Sequence, residues 1–160
     1  MEIEINIEDA RWAGAGIAAL AETACGATLA HLELGDDWVI SILACDDARI
    51  AALNASFRDK DKATNVLAWP SDERAPTVPG TRPEPPDPSD PELGDIAISY
   101  DTMLRESEAS GISLRDHSLH LIVHALLHCL GYDHIDDKDA AIMEATEVEV
   151  LARLGVADPY

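Results

Sequence analysis

Residues 124–134 read His-Ala-Leu-Leu-His-Cys-Leu-Gly-Tyr-Asp-His, and this stretch decides how the chain is interpreted. His124 and His128 are one helical turn apart, so a helix places both side chains on the same face. Nearly every other residue of 119–130 is apolar, which predicts a buried central helix. Imidazole groups on a buried helix need polar partners, and a metal ion would satisfy several of them at once.

His134 could join the other two histidines only if the helix ended before it, because six further residues at about 100° each would carry it to the opposite side. Gly131 lies where the chain has to turn back, and glycine adopts left-handed backbone angles freely. The pattern therefore predicts that His124, His128 and His134 hold one ion and leave part of its coordination open, as in catalytic zinc sites. His117 and His120 are interpreted as surface residues or as partners of the ligands.

The same spacing occurs in the metzincin zinc peptidases, where a glutamate follows the first histidine and acts as the general base. Ala125 occupies that position here. Without the carboxylate, peptide hydrolysis by that route lacks its proton acceptor. A small metallopeptidase is therefore a weaker alternative.

The chain has 160 residues and 17.2 kDa, with 47% hydrophobic and 26% charged residues. These values predict a single folded domain over residues 1–160. No apolar run approaches the roughly 18 to 20 residues that span a bilayer, and the N-terminus lacks the basic and apolar regions of a signal peptide. We therefore expect a cytoplasmic protein with no membrane partner.

The net charge is -20, from 11 Lys and Arg against 31 Asp and Glu. So acidic a chain repels polyanions at long range, and a nucleic-acid partner would need a local basic patch. The three cysteines are far apart in the sequence and have no paired spacing, so we expect buried thiols rather than disulfides or a thiolate metal site.

Alternation and apolar runs predict an α/β (α+β) domain with one small mixed sheet of four strands and about five helices, the metal site lying on a central helix. The strands are expected at 2–7, at an edge of the sheet, and at 38–45, 65–69 and 93–100. The helices are expected at 9–23, 46–57, 101–109, 113–130 and 136–155. Eight of the nine prolines lie within 70–91, so residues 70–92 are expected to form an exposed, mobile, Pro-rich acidic loop.

A second cluster of interest is 58–62, which contains three of the eleven cationic residues of this acidic chain: Arg58, Lys60 and Lys62. The planar guanidinium of Arg58 is suited to a phosphate group. Asp59 and Asp61 interleave with these cations, so a solvated loop of alternating charges is the alternative interpretation.

These two clusters, together with Leu-Gly-Asp-Ile-Ala-Ile-Ser at 93–99 and Met-Glu-Ala-Thr-Glu at 143–147, resemble the YbeY family of bacterial endoribonucleases. The resemblance extends over about 53–154, apart from the Pro-rich loop. Its most specific part is His-x-x-x-His-x-x-Gly-Tyr-Asp-His, which is present in full at 124–134. The asparagine, arginine, lysine and aspartate pattern at 54–61 fits as well.

The resemblance implies one zinc-type ion held by His124, His128 and His134, with nickel or another divalent transition metal as alternatives. It also implies cleavage of single-stranded RNA in 3′-end maturation of 16S ribosomal RNA, with a part in late 30S assembly and ribosome quality control. Arg58 matches a functionally important arginine of the family, so the catalytic residues would be Arg58 and the three histidines. The expected partners are the RNA and the 30S subunit or its proteins, whereas DNA is not expected. A ribosome assembly factor with a structural metal site is the second alternative.

Several positions depart from the pattern of the family. Ala125 replaces a glycine, Lys62-Ala63 stands where a residue followed by proline is common, Asn65 replaces an aspartate, and Ala68-Trp69 replaces serine and phenylalanine. The general base is unassigned; Asp133 is a candidate for it, but is expected rather to orient a ligand histidine through a hydrogen bond. Glu144 and Glu147 are expected to cap or solvate the last helix.

Overall fold

A computed structural model describes residues 1–160, which form four strands and six helices around one sheet. The strands are β1 (Glu2–Ile7), β2 (Val39–Cys45), β3 (Val66–Pro70) and β4 (Glu92–Ser99). The helices are α1 (Ala10–Gly14), α2 (Ile17–His31), α3 (Asp47–Arg58), α4 (Tyr100–Ser110), α5 (Leu114–Cys129) and α6 (Asp137–Arg153).

The sheet has the strand order β1-β2-β4-β3. β1 pairs in parallel with β2, β2 pairs in parallel with β4, and β3 runs antiparallel to β4. The mixed four-stranded sheet and the edge position of β1 are thereby confirmed. β3 forms the other edge, where Pro70 can be the last strand residue because an edge strand tolerates a missing backbone donor.

One of the five predicted helices is wrong in extent. The segment expected as one helix over 9–23 is divided into α1 and α2, and the second helix continues to His31. Gly16 separates them with a φ of 75°, a left-handed conformation that an α-helix cannot contain. The remaining helices and strands lie within about two residues of their expected bounds, and Ser113 caps α5 by accepting from the backbone of Asp116.

α5 is the central helix, in contact with α2, α4, α6 and two strands of the sheet. Its apolar side chains Leu119, Ile122, Leu126 and Leu127 are fully buried. The burial of this helix on nearly all sides was predicted from its sequence, and it explains why its histidines need polar partners. The other face of the sheet is only partly covered, by α3, over a smaller cluster of buried residues that includes Ile50 and Leu67.

The three cysteines are free and buried, as expected: Cys25, Cys45 and Cys129. Burial raises the pKa of each thiol to about 12, which keeps them protonated at neutral pH. No helix combines the length and the apolar character that crossing a membrane requires.

The segment 71–91 contains no helix or strand, in agreement with its proline content. Most of its residues are exposed, as expected, but the segment is attached to the rest of the chain. Nη1 of Arg74 donates to the carbonyl oxygens of Leu93 at 3.0 Å and Cys129 at 2.8 Å. The amide of Gly80 donates to Asp139 at 2.9 Å, and Pro86 is buried. These contacts hold the segment against the end of α5 and the start of α6.

Candidate functional site

A cavity of about 600 Å³ lies between α5, the end of α3, β3 and the turn that follows α5. Its lining includes the four residues that the sequence singled out as a site: Arg58, His124, His128 and His134. His120 lines the cavity as well. His117 lies outside it and pairs with Glu106, with 2.9 Å between Nε2 and Oε1. Residues more than 60 positions apart in the sequence, such as Arg58 and His124, thus line the same cavity.

His124 is held by a carboxylate that was assigned another role from the sequence. Its Nδ1 hydrogen-bonds Oε1 of Glu147, a residue of α6 with no solvent exposure. With Nδ1 occupied by the carboxylate, Nε2 is the nitrogen left to face another partner. The expectation that Glu147 caps or solvates the last helix is therefore wrong.

Glu147 is also bound by two further side chains. The hydroxyl of Tyr160 donates to its Oε2, and Nε2 of His120 lies 3.6 Å from the same oxygen. Burial opposes ionisation of this carboxyl, but the hydrogen bonds with His124 and Tyr160 and the nearby imidazole of His120 outweigh it and lower the pKa of Glu147 to about 2. A buried anion thus lies against two histidines of α5, His120 and His124.

His128 lies one turn further along α5. Burial lowers the pKa of its imidazole, so the ring is neutral at pH 7. Its Nδ1 is buried without a hydrogen-bond partner. A neutral ring with an unpartnered buried nitrogen has the properties of a side chain that binds a further group.

The turn predicted at Gly131 is confirmed. α5 ends at Cys129, Gly131 has a φ of 105°, and the amide of Tyr132 donates to the carbonyl of Leu127 at 3.0 Å. The chain then folds back, and the ring of His134 stacks on that of His124 with centroids 5.3 Å apart and planes inclined by 29°. The turn therefore returns His134 to the side of α5 that carries His124.

Asp133 does not have the expected role of orienting a histidine ring. Its Oδ1 accepts from the backbone amide of His134 at 2.7 Å, which fixes the turn. Glu147 provides the ring contact instead, from a different helix.

The histidines have the chemistry of transition-metal ligands, since Nδ1 of His124 is engaged by a carboxylate and the ring of His128 is neutral. As the side chains stand, no group of three or more His, Cys, Asp or Glu residues is arranged to hold a metal ion. A metal site at His124, His128 and His134 stays a prediction.

Arg58 is the last residue of α3 and is exposed at the rim of the cavity. It takes part in none of the ion pairs formed by the other arginines. Asp59 ends the helix in a left-handed conformation, and the buried Asn54 holds the following loop by donating to the carbonyl of Lys62 at 3.0 Å. Lys60 and Lys62 do not line the cavity, so Arg58 is the one cation of this cluster that faces it.

Asn65 also lines the cavity, at a position where the resemblance predicts an aspartate. Its Nδ2 donates to Oε1 of Glu106 at 3.0 Å, and its Oδ1 accepts from the amide of Val66. An aspartate here would bring a second carboxylate against Glu106, whereas the amide forms a hydrogen bond. The substitution therefore fits its surroundings in this chain.

Sequence reasoning missed Glu147 and Tyr160 as parts of the site. A signal for Glu147 was present, because it shares the buried face of α6 with residues at helical spacing: Met143, Thr146, Val150 and Leu151. An acidic residue within such a stripe needs a buried partner. Tyr160 follows the last helix and carries no comparable signal.

The chain is similar to known proteins along nearly its whole length. The family model described as "Endoribonuclease YbeY" matches residues 2–155. The chain is 54% identical over 164 residues to the "Endoribonuclease YbeY" of Ruegeria sp. (strain TM1040), covering 100% of this chain and 96% of that protein. It is also 54% identical over 161 residues to the protein of the same name from Jannaschia sp. (strain CCS1), covering 100% of both.

Among solved structures, the solution structure of TM1509 from Thermotoga maritima superimposes with a TM-score of 0.59 at 19% identity, covering 95% of this chain and 88% of that one. At that identity the likeness supports the fold alone. The family model and the two relatives span almost the whole chain, and on that basis the chain belongs to the YbeY family of endoribonucleases.

Proposed function

We propose that this chain is a metal-dependent endoribonuclease that cleaves single-stranded RNA in the cytoplasm, acting in 3′-end maturation of 16S ribosomal RNA and in late assembly and quality control of the 30S subunit. The observation that carries the proposal is the placement of Arg58, free of ion pairs, on the cavity that His124, His128 and His134 also line. The names of the relatives support RNA as the substrate.

The proposal assigns each residue a task. His124, His128 and His134 would hold one divalent ion, zinc or alternatively nickel. When bound, the ion would supply a Lewis acid that stabilises negative charge on a phosphoryl oxygen. Arg58 would bind the same phosphodiester through its planar guanidinium and orient it in the cavity. Glu147 would keep the His124 ring in one orientation and one tautomer.

The net charge of -20 limits how the substrate is bound. Most of the surface repels a polyanion, so free RNA should bind weakly and with a steep dependence on salt. We propose that the 30S particle or its proteins position the strand at the cavity.

Changing Arg58 to alanine tests the catalytic part of the proposal. Cleavage of a single-stranded RNA should fall by at least about 100-fold, because a charged donor to the phosphate is lost. Metal content and melting temperature should stay close to those of the unchanged protein, since Arg58 is exposed. Lys60→Ala is the matched control, because it removes a nearby exposed cation that does not line the cavity. Cleavage by Arg58→Ala at the rate of the control would remove Arg58 from the mechanism, whereas an unchanged protein that does not cleave RNA would favour an assembly factor with a structural metal site.

Changing His128 to alanine tests the metal site. Elemental analysis of the purified protein should find about one zinc or other divalent transition-metal ion per chain, and His128→Ala should lose it. His31→Ala is the matched control, because His31 pairs with Glu149 on the surface of α6 and lies outside the cavity. Equal metal content in the two variants would remove His128 from the ligand set.

A further inference from the structure

Phe57 is the single phenylalanine of the chain, and 66% of it is exposed. It lies on the last turn of α3, directly before Arg58. Exposure of a large aromatic ring forgoes the free energy that its burial would give. Aromatic residues make up only 4% of this chain, and this one lies exposed beside the cavity instead of in the core.

The ring of Phe57 is held from one side by Trp69 of β3. The two ring centroids are 5.6 Å apart and the planes are inclined by 68°, an edge-to-face contact. Trp69 in turn packs on the small cluster of buried residues between α3 and the sheet. The ring of Phe57 therefore contacts Trp69 and still has most of its surface open to a ligand.

Both aromatic residues line the cavity that contains Arg58 and the histidines. We propose that Phe57, supported by Trp69, stacks against a nucleobase of the nucleotide next to the phosphate that Arg58 binds. This inference rests on the proposed function, because it names how the single-stranded substrate is held. It adds a binding site for the base to a cavity whose other groups address the phosphate.

Stacking also resolves the conflict between an acidic protein and an acidic substrate. Every nucleobase has an apolar face, and single strands leave these faces accessible. Stacking on an aromatic side chain tolerates different bases and does not depend on net charge. A chain with a net charge of -20 can thus gain affinity for RNA without adding cations. Duplex RNA, whose bases are already stacked, would not use the site.

A second groove, of about 700 Å³, shares Phe57 and Trp69 and extends over the other face of the sheet past Glu4, Leu43 and Asp95. Its carboxylates disfavour the RNA backbone there. The placement of Phe57 beside the unpaired Arg58 therefore favours the cavity side as the place of the base. A protein segment on Phe57 is the competing occupant, and the experiment distinguishes the two.

The test measures binding of a single-stranded 2′-O-methyl oligonucleotide by fluorescence anisotropy, beside an oligonucleotide of equal length with abasic positions throughout. The full chain is used, and oligonucleotide integrity is checked on a gel. Phe57→Ala should weaken binding of the base-bearing strand about tenfold and leave binding of the abasic strand unchanged. Phe57→Tyr should restore binding. Val78→Ala, which shortens another exposed apolar residue outside the cavity, should have no effect.

Trp69 gives a second readout, because Trp12 and Trp38 are buried in the core. The base-bearing strand should quench the accessible tryptophan emission, and the abasic strand should not. If Phe57→Ala binds the base-bearing strand with unchanged affinity, the inference is overturned, and this is the result expected if a protein segment occupies Phe57. An equal loss of affinity for both strands overturns the inference as well. The proposed function has a separate readout: an unchanged protein that binds the strand but does not cut RNA would contradict the function and not the stacking.

Discussion

Replacing Glu147 with alanine is expected to lower the free energy of unfolding by about 3–5 kcal/mol and to weaken metal binding by about 10- to 100-fold. The carboxylate is fully buried and contacts His124 and Tyr160. Its removal leaves the Nδ1 of His124 and the Tyr160 hydroxyl without their acceptor, and it opens a cavity behind α5. Thermal unfolding and metal titration measure the two effects on the same preparation.

Glu144→Ala is the matched control for this prediction, because Glu144 lies one turn away on α6 with an exposed side chain. Its loss should change stability by less than about 0.5 kcal/mol. Glu147→Gln should be intermediate, since the amide keeps the shape and one acceptor but lacks the charge. If Glu147→Ala bound metal as tightly as Glu144→Ala does, the carboxylate would have no role in orienting His124.

The same network shows which parts of the site a sequence can reveal. The spacing of His124 and His128 predicts that they share a helix face, because helix geometry depends only on neighbouring residues. Gly131 predicts a turn, because the turn depends on the backbone angles of that residue alone. The contact between His124 and Glu147 joins two helices, so it depends on how α5 and α6 pack. The spacing of the buried residues of α6 indicates that Glu147 is buried as well, but only the fold shows that His124 is its partner.

For the Pro-rich segment, composition predicts the backbone conformation but not the contacts with the rest of the chain. Proline predicts correctly that 71–91 forms no helix or strand, since it lacks the backbone donor. Composition does not indicate that Arg74 reaches the carbonyls at the end of α5 and the start of β4. The two acceptors, Leu93 and Cys129, are 36 residues apart in the chain, and only the packing of α5 on β4 brings them together.

Gly131→Ala is expected to disrupt the site by two physically separate effects. The first is the backbone angle, because a φ of 105° is rarely adopted by residues with a side chain. The second is a collision, since a Cβ at this position would lie 2.5 Å from the carbonyl oxygen of Arg74 and 2.7 Å from its carbonyl carbon. Neither atom can move without displacing the backbone of the Pro-rich segment or the turn that carries His134.

Gly111→Ala separates these two effects, because Gly111 also has a positive φ, 73°, but nothing lies within 4 Å of its would-be Cβ. It should cost about 1–2 kcal/mol from the backbone angle alone. Gly131→Ala should cost several kcal/mol, at the upper end of single substitutions, and it should lower cleavage and metal content as well. Thermal unfolding, elemental analysis and an RNA cleavage assay on both variants make the comparison.

The collision with Arg74 also predicts where the damage appears first. If the turn keeps its conformation, the segment 71–91 has to move away from it, and the hydrogen bonds from Arg74 to Leu93 and Cys129 are lost. Trypsin should then cut after Arg74, which is followed by Ala75, faster in Gly131→Ala than in Gly111→Ala. If the turn moves instead, the segment stays protected and the stacking of His134 on His124 is lost. If Gly131→Ala shows wild-type rates of proteolysis and wild-type metal content, neither the segment nor the turn has moved. That result would contradict the idea that close approach of the two backbones at Gly131 maintains the site.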